Sequence, residues 1–297
     1  MLEIGKQIAE TLLGILQLMA IAGAVVAAFG LAEYWRGAGR GGGLKHRGYN
    51  LMVFGLNFMG LAVVGLVLDP IEARMPEHGL IGWLLPDWQH QGWAGMLLAT
   101  AVYAVVYDFF HYWSHRAQHE IPVLWLFHRV HHDDDAMDAS TSVRHSLGAG
   151  VAGTVMAHFP TYLVCGGGLL PYAGSIALFW VWFFFSHANI RLELGRLGWL
   201  VVGPQQHRLH HGVSEAYHNR NYAQFFPFYD WLFGTLRQPL PGEWPATGVA
   251  GEAPSRNILL QVYMPWRRRT AAAHVPPAAE PAAAAEGEAV ADGARSA

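Results

Sequence analysis

Residues 11–31 read TLLGILQLMAIAGAVVAAFGL, an apolar run without a single charge, and this run decides the class of fold. A helix crosses the hydrocarbon core of a bilayer with about 20 predominantly apolar residues. Four further apolar stretches follow, at 51–68, 92–107, 150–170 and 172–186. The third and the fifth stretch are short, and the link at Pro171–Tyr172 predicts a tight hairpin that either crosses the bilayer or dips into it. We therefore predict an all-α fold, a polytopic membrane helix bundle of about four to five spans.

The composition agrees with a membrane protein and excludes several other classes. The chain is 53% hydrophobic and 14% charged, against about 25% charged residues in a typical soluble domain. A net charge of −3 without a basic stripe argues against a nucleic-acid partner. The single cysteine, Cys165, excludes an internal disulfide and a cysteine-rich zinc module. Histidine and carboxylate groups must therefore bind any metal ion.

The charges in the loops predict an orientation. Basic residues lie between the first two spans, whereas most of the charged residues in 69–91 are acidic. Because positively charged loops stay in the cytoplasm, counting through five spans places residues 111–149, and everything after 186, on the cytoplasmic side. We expect an integral protein of a bacterial inner membrane.

The sequence divides into three predicted regions. Residues 1–91 form an N-terminal transmembrane region and residues 92–238 a catalytic domain. Residues 239–297 form a Pro/Ala-rich C-terminal tail, which after Thr270 is of low complexity. Such a composition cannot bury a core, so the tail is predicted to be largely disordered.

Histidines recur at helical spacing in the predicted catalytic domain. Two near-identical pentapeptides, HRVHH at 128–132 and HRLHH at 207–211, each carry histidines at their first, fourth and fifth positions. His115 and His119 are four residues apart, and His187 follows the fifth apolar stretch. Spacings of three and four place side chains on one face of a helix. The orientation brings all of these histidines to the cytoplasmic side.

This pattern predicts a metal site. A lone histidine is more often a hydrogen-bonded or surface residue, but three helix-periodic clusters on one side of a membrane rarely arise from packing alone. Neutral imidazole suits iron, copper, zinc and nickel, and three to four protein ligands per ion are usual. Eight or nine histidines are too many for one ion and suit two.

The motifs resemble those of the fatty acid hydroxylase/sterol desaturase superfamily. The resemblance covers about residues 92–237 and rests on the two pentapeptides together with DFFHYWSHRAQHE (108–120), SHANI (186–190), GPQQHRLHH (203–211) and YDWLFGT (229–235). The branch that contains alkylglycerol monooxygenase looks nearest. The resemblance implies a nonhaem di-iron centre that uses dioxygen and two external electrons to hydroxylate or desaturate a lipid or sterol. The implied ligands are His115, His119, His128, His131, His132, His187, His207, His210 and His211.

Other polar residues are candidates for orienting these rings. A ligand imidazole usually donates its second N–H to a carboxylate or a carbonyl, and the candidates are Asp108, Glu120, Asn189 and Asp230. Each of them can equally be a helix-end or surface group. The acidic run DDDAMD (133–138) is interpreted as a solvated turn or as support for the rings. His111, His145 and His218 receive no role.

Several alternatives stay open at this point. A histidine-rich membrane protein that binds or moves metal without catalysis is the rival from another class. It needs a polar path across the bilayer, yet the spans hold almost no ionisable residue in their middles. Carotenoid hydroxylation and sterol desaturation are alternatives within the enzyme class. The electron donor is expected to be a separate protein, and purified material can carry zinc in place of the two iron ions.

Overall fold

The structure, a computed structural model, describes residues 2–39, 41–75, 78–84, 92–166, 169–254 and 257–267. Within these ranges all the regular elements of secondary structure are helices. No strand is present there, and two residue pairs form isolated β-bridges. The helices are α1 (Leu2–Arg36), α2 (Gly43–Glu72), α3 (Gly79–Leu84), α4 (Gly92–Glu120), α5 (Pro122–His132), α6 (Leu147–Gly153), α7 (Phe159–Cys165), α8 (Leu169–His187), α9 (Pro204–His210), α10 (Phe228–Leu232) and α11 (Ile258–Tyr263). The predicted all-α bundle is confirmed.

Among the described residues, four helical segments are long and apolar enough to cross a membrane: Lys6–Arg36, Gly43–Glu72, Gly92–Glu120 and Leu147–Cys165. A shorter apolar helix spans Gly174–His187. Large side chains on their outer faces are strongly exposed, among them Leu31 at 65% and Leu66 at 72%. Water does not tolerate a continuous apolar surface of this kind, whereas lipid does. The outer faces therefore suit a bilayer.

Helix α4 extends well beyond the apolar stretch that the sequence marks at 92–107. It continues to Glu120 and so carries His115 and His119 one turn apart on the same helix. Helix α5 begins at once with Pro122 in its first turn, where the fixed φ of proline favours a helix start and no backbone N–H is needed. The first pentapeptide thus follows α4 without a loop.

The turn of the hairpin lies earlier than predicted. The sequence predicts a turn at Pro171–Tyr172, but α7 ends at Cys165 and α8 begins at Leu169, so both residues belong to α8. Gly166 makes the turn with φ of 89°, a conformation that favours glycine. Pro171 falls in the first helical turn, where a missing N–H breaks no hydrogen bond.

The span Leu147–Cys165 contains a π-helical turn, Thr154–His158, between α6 and α7. Pro160 follows it and cannot donate a backbone hydrogen bond, which explains a local change in the helical ladder. His158 is exposed, and its ring centroid is 5.2 Å from that of Tyr107 on α4.

A buried ionic network joins α1, α2 and the segment after α5. Arg47 Nη2 lies 2.6 Å from Glu33 Oε2, and Arg47 Nε lies 3.1 Å from Asp138 Oδ2. Glu33 also accepts the backbone N–H groups of Ala139 and Asn189, at 2.8 and 2.9 Å. The loop between α1 and α2 therefore lies at the same end of the bundle as the first pentapeptide.

Residues 240–252, called the strap from here on, run across α9. Gln205 donates to the carbonyls of Leu240 and Glu243, at 3.1 and 2.9 Å. The Gly248 N–H donates to the His211 carbonyl at 3.2 Å. The strap is the first part of the predicted tail, and residues 268–297 lie outside the described residues. The domain boundary at 238 stays a prediction.

Candidate metal centre

The nine histidines that the sequence singles out lie in two adjoining groups. The five-histidine group consists of His115, His119, His128, His132 and His210. The four-histidine group consists of His131, His187, His207 and His211. Within each group, one nitrogen from every ring lies within 4.8 Å of the others. The groups share an edge, because the rings of His132 and His211 stack at a centroid distance of 4.2 Å.

The two pentapeptides contribute to the groups in opposite ways. In the first, the outer histidines, His128 and His132, join the five-histidine group, and His131 joins the other. In the second, the outer positions belong to the four-histidine group, and His210 crosses to the five-histidine group. Successive residues are about 100° apart around a helix, so the histidine four positions along lies about 40° to one side of the first histidine and the histidine three positions along lies about 60° to the other side. Each pentapeptide therefore contributes to both groups.

The arginine of each pentapeptide points away from the two histidine groups, which together are called the centre. Arg129 lies 3.1 Å from Glu252 and donates to the Pro265 carbonyl at 3.0 Å. Arg208 donates to the Pro245 carbonyl at 2.8 Å, and its guanidinium stacks over the Trp244 ring at 4.8 Å. Both pentapeptides are thus tied to the chain that follows residue 239.

Backbone carbonyls orient three of the rings. The Nδ1 atoms of His115, His187 and His210 lie 2.8, 2.7 and 2.7 Å from carbonyl oxygens of Tyr222, Phe183 and Arg220, respectively. A carbonyl only accepts, so each Nδ1 carries the proton and each Nε2 keeps a free lone pair. This is the tautomer that binds a metal through Nε2.

The spacing of the free nitrogens fits a metal ion in each group. Nε2–Nε2 distances are 3.1 Å for His115–His128 and 3.0 Å for both His131–His187 and His187–His207. Two nitrogens that each lie about 2.1 Å from one ion are about 3.0 to 3.4 Å apart. Several buried ring nitrogens, including Nε2 of His119 and His210, have no hydrogen-bond partner among the described residues. A buried polar atom without a partner is costly, and a cation satisfies these.

The rings are also in the correct charge state. Burial, reinforced by the neighbouring imidazoles, holds the pKa well below its usual value for His128, His131, His132, His207, His210 and His211. These rings are therefore neutral at pH 7. Neutral imidazole is the form that binds metal, so no proton has to be displaced.

The carboxylates predicted to orient the rings act on the backbone instead. Asp230 accepts the N–H groups of Tyr222 and Ala223 at 2.7 and 2.9 Å, and Tyr222 in turn provides the carbonyl for His115. Asp108 accepts the N–H groups of Gln224, at 3.0 Å, and of the two residues that follow. Both carboxylates thus fix the segment after Asn221, and within the described residues neither hydrogen-bonds a ring of the two groups.

The other two predicted supports lie further away. Glu120 pairs with Arg116 at 2.8 Å and is substantially exposed. Asn189 donates its backbone N–H to Glu33 and contacts Arg208 at 3.5 Å. Neither side chain hydrogen-bonds a histidine of the two groups within the described ranges. Carbonyls replace carboxylates here because every helix end and turn offers one at no cost in buried charge.

Three of the four carboxylates in the acidic run 133–138, those of Asp133, Asp134 and Asp138, are buried, and Asp135 alone among the four is exposed, so the run is not a solvated turn. Asp133 is 2% exposed and receives the guanidinium of Arg144 at 2.6 Å. Arg144 also donates to the Val130 carbonyl and to Asn50, both at 3.0 Å. This cluster fixes the end of α5, from which the first pentapeptide presents its rings.

An apolar chamber of about 340 Å³ opens onto both groups. It lies among α2, α4, the π-helical turn and α8, and its lining is mainly apolar and aromatic, with Phe58, Tyr107 and Trp180 among the residues. On the side of the centre it contacts His115, His128, His131 and His207. Its volume is in the usual range for a small-molecule site.

Three histidines without a sequence-based role border the centre. His145 stacks on His131 at a centroid distance of 4.5 Å and lines the apolar chamber. His111 lines the same chamber, and its buried Nδ1 has no partner among the described residues. His218 is exposed and lies on the other side of the centre. All three fall outside the two groups.

Residues 100–235 match the family model described as "Fatty acid hydroxylase". This segment is similar to fatty acid hydroxylase domains. It contains all nine histidines of the two groups. The resemblance to the fatty acid hydroxylase/sterol desaturase superfamily is therefore confirmed.

Several curated relatives of this chain carry names of lipid enzymes. Alkylglycerol monooxygenase of Danio rerio is 31% identical over 43% of this chain and 28% of its own length. Ornithine lipid hydroxylase OlsE of Rhizobium tropici is 27% identical over 56% of this chain and 49% of its own length. Very-long-chain aldehyde decarbonylase CER1 of Arabidopsis thaliana is 28% identical over 54% of this chain and 26% of its own length. The chain thus spans at most about half the length of these relatives. No solved structure matches it significantly.

Two parts of the centre, the carbonyl acceptors and the strap, were not predicted from the sequence. The carbonyl acceptors leave no trace in the sequence, since every residue has a carbonyl group. One signal was available for the segment that presents Tyr222: Asn221 has φ of 56°, a left-handed conformation in which asparagine is enriched. The strap was missed because its Pro/Gly-rich composition is typical of an unpaired loop.

Proposed function

We propose that the chain is a membrane-bound di-iron oxygenase that hydroxylates an alkyl group of a lipid. The observation that carries this proposal is the contact between two adjoining histidine groups and one apolar chamber among the membrane-spanning helices. Bound iron supplies the redox chemistry with dioxygen that breaks an unactivated C–H bond. The balance is R–H + O₂ + 2e⁻ + 2H⁺ → R–OH + H₂O.

The residues of the chain supply position and exclusion of water. The apolar lining binds the alkyl chain and holds one carbon beside His115, His128, His131 and His207, the four centre histidines that face the chamber. Carbonyl-bound Nδ1 atoms keep the ligand nitrogens aimed inward. The names of the three relatives, which mention an alkylglycerol, an ornithine lipid and a very-long-chain aldehyde, support a substrate with a long alkyl chain.

Lipid profiling of cells with and without the gene, grown under ¹⁸O₂, tests this function. We expect a lipid that gains one ¹⁸O-labelled hydroxyl group, and we expect this product to vanish in His131→Ala and His210→Ala. His78→Ala is the matched control and should keep the product. His78 is exposed, and the predicted orientation places it on the side of the membrane opposite to the histidine groups. A new double bond without label would assign desaturation instead. An unchanged profile would favour a metal-binding protein without catalysis.

We further propose that the centre faces the cytoplasm of a bacterial inner membrane. The support is the ionic network of Arg47 with Glu33 and Asp138, which holds the basic α1–α2 loop at the same end as the first pentapeptide. A cysteine placed at Ala250, an exposed strap residue, should react with an impermeant maleimide in spheroplasts only after permeabilisation. Reaction in intact spheroplasts would reverse the orientation.

The two electrons are proposed to come from a separate donor protein. Purified enzyme should then oxidise its lipid only when an external reductant is added. Turnover without any added reductant would contradict this part of the proposal. Isolated nitrogen sites favour zinc over ferrous iron, so preparations should be tested after removal of metal and reloading with Fe²⁺.

A further inference from the structure

A second cavity reaches the histidine centre from the side of the strap. This strap chamber has a volume of about 320 Å³. His119, His132 and His210, all from the five-histidine group, line it together with Trp125. Its rim consists of His218, Asn219 and strap residues 248–250.

In the part of the chain that the structure describes, the two chambers share no lining residue. The apolar chamber contacts two rings of each group, whereas the strap chamber contacts three rings of the five-histidine group and none of the other. The imidazoles therefore form a partition between two separate spaces.

The surroundings of the two chambers suit different molecules. The apolar chamber lies among the membrane-spanning helices, where a hydrated divalent cation would lose its water shell at a high cost in free energy. The strap chamber lies beyond the helical spans, apart from His119 at the end of α4. Its rim carries an exposed imidazole on His218 and an exposed amide on Asn219. Both are groups that can replace water around a cation.

We propose that the strap chamber is the route by which metal ions enter the centre, with His218 as the first residue to bind an incoming ion. This inference rests on the proposed function, in that the two histidine groups bind metal. It also gives an order of filling. An ion that enters from the strap chamber meets the five-histidine group first and reaches the four-histidine group only by passing it.

The test blocks the rim after the protein has folded. In an Ala250→Cys variant of the full chain, a bulky maleimide can be attached to the exposed new cysteine, because the native Cys165 is buried. The protein is stripped of metal, mixed with Co²⁺ as the probe, and followed by its visible absorption. We expect the label to slow Co²⁺ uptake by about tenfold or more, a barrier increase of about 1.4 kcal/mol. The final amount of bound Co²⁺ should not change.

Two controls separate the routes. Ala246→Cys carries the same label at an exposed strap position that does not line the chamber, and it should take up Co²⁺ at the unlabelled rate. Gly153→Phe narrows the apolar chamber, since a Cβ at Gly153 meets no atom within 4 Å. It should reduce lipid oxidation and leave the rate of Co²⁺ uptake unchanged. His218→Ala should slow uptake without lowering the final amount bound.

The outcomes distinguish the route from the function. Equal uptake rates for labelled and unlabelled Ala250→Cys, or slow uptake in Gly153→Phe, would overturn the proposed route. A wild-type chain that binds no Co²⁺ would refute the metal centre and with it the proposed function. If the chain binds metal and oxidises lipid but the label does not slow Co²⁺ uptake, the route alone would be refuted.

Discussion

Arg144 is among the largest side chains that the described part of the bundle encloses completely. It connects Asp133, the Val130 carbonyl and Asn50 of α2. Removing one partner of a buried ion pair leaves the other charge stranded, at a cost of about 3–5 kcal/mol. Arg144→Ala should therefore lower the free energy of unfolding by about that amount, seen as a large drop in melting temperature in detergent.

The control for this prediction is Arg196→Ala, at an exposed position, which should melt like the wild type. Adding Asp133→Asn to Arg144→Ala removes the stranded carboxylate and should recover part of the lost stability. If Arg144→Ala and Arg196→Ala melted alike, the buried pair would have no role in fixing the end of α5.

At the scale of elements, the crossed assignment of the two pentapeptides can be tested with paired substitutions. His131→Ala with His207→Ala removes two ligands of the four-histidine group, and the protein should retain about one ion. His128→Ala with His207→Ala changes the same position of each pentapeptide but affects both groups. This second pair leaves four and three histidines in the two groups, enough for one ion each, so metal analysis after dialysis should recover more metal than from the first pair. Equal losses would refute the crossed assignment.

The same elements show what the sequence could predict. The spacings in α4 and in the pentapeptides, together with the resemblance, indicated which nine histidines meet. The division into groups depends on how α5 and α9 are rotated relative to each other, and spacing alone does not give that rotation. The acceptors for His115, His187 and His210 are backbone carbonyls, which every residue has, so residue type does not predict them. The turn at Gly166 was missed because the nearby Pro171 is the stronger turn signal.

For the whole molecule, the buried histidines predict a dependence of stability on pH. In the unfolded chain a histidine titrates near 6.5, whereas burial lowers the folded pKa of the six rings on α5, on α9 and at His211. Below pH 6.5 the unfolded state binds more protons, so stability is complete above that pH and falls as the pH drops towards the folded pKa values. Each ring contributes at most about 1.4 kcal/mol per pH unit.

Thermal unfolding of the metal-free protein between pH 8 and pH 5.5 checks this dependence. The melting temperature should be level above about pH 6.5 and fall below it. His132→Phe removes one ring whose pKa is lowered, so the melting temperature of this variant should fall less steeply as the pH drops. His78 is exposed, so the melting temperature of His78→Ala should follow that of the wild type. A melting temperature that stays level throughout would contradict the burial of neutral rings.

The strap has a consequence for the biosynthesis of the protein. Ribosomes release both pentapeptides before residues 240–252 emerge, so for a short interval the nascent chain presents its imidazoles without the cover that Arg129 and Arg208 later hold in place. On the proposed entry route, we expect metallation during translation to be faster than replacement of an ion in the finished protein. If iron is the metal, as proposed above, cells starved of iron while they make this protein would accumulate molecules that recover slowly when iron returns.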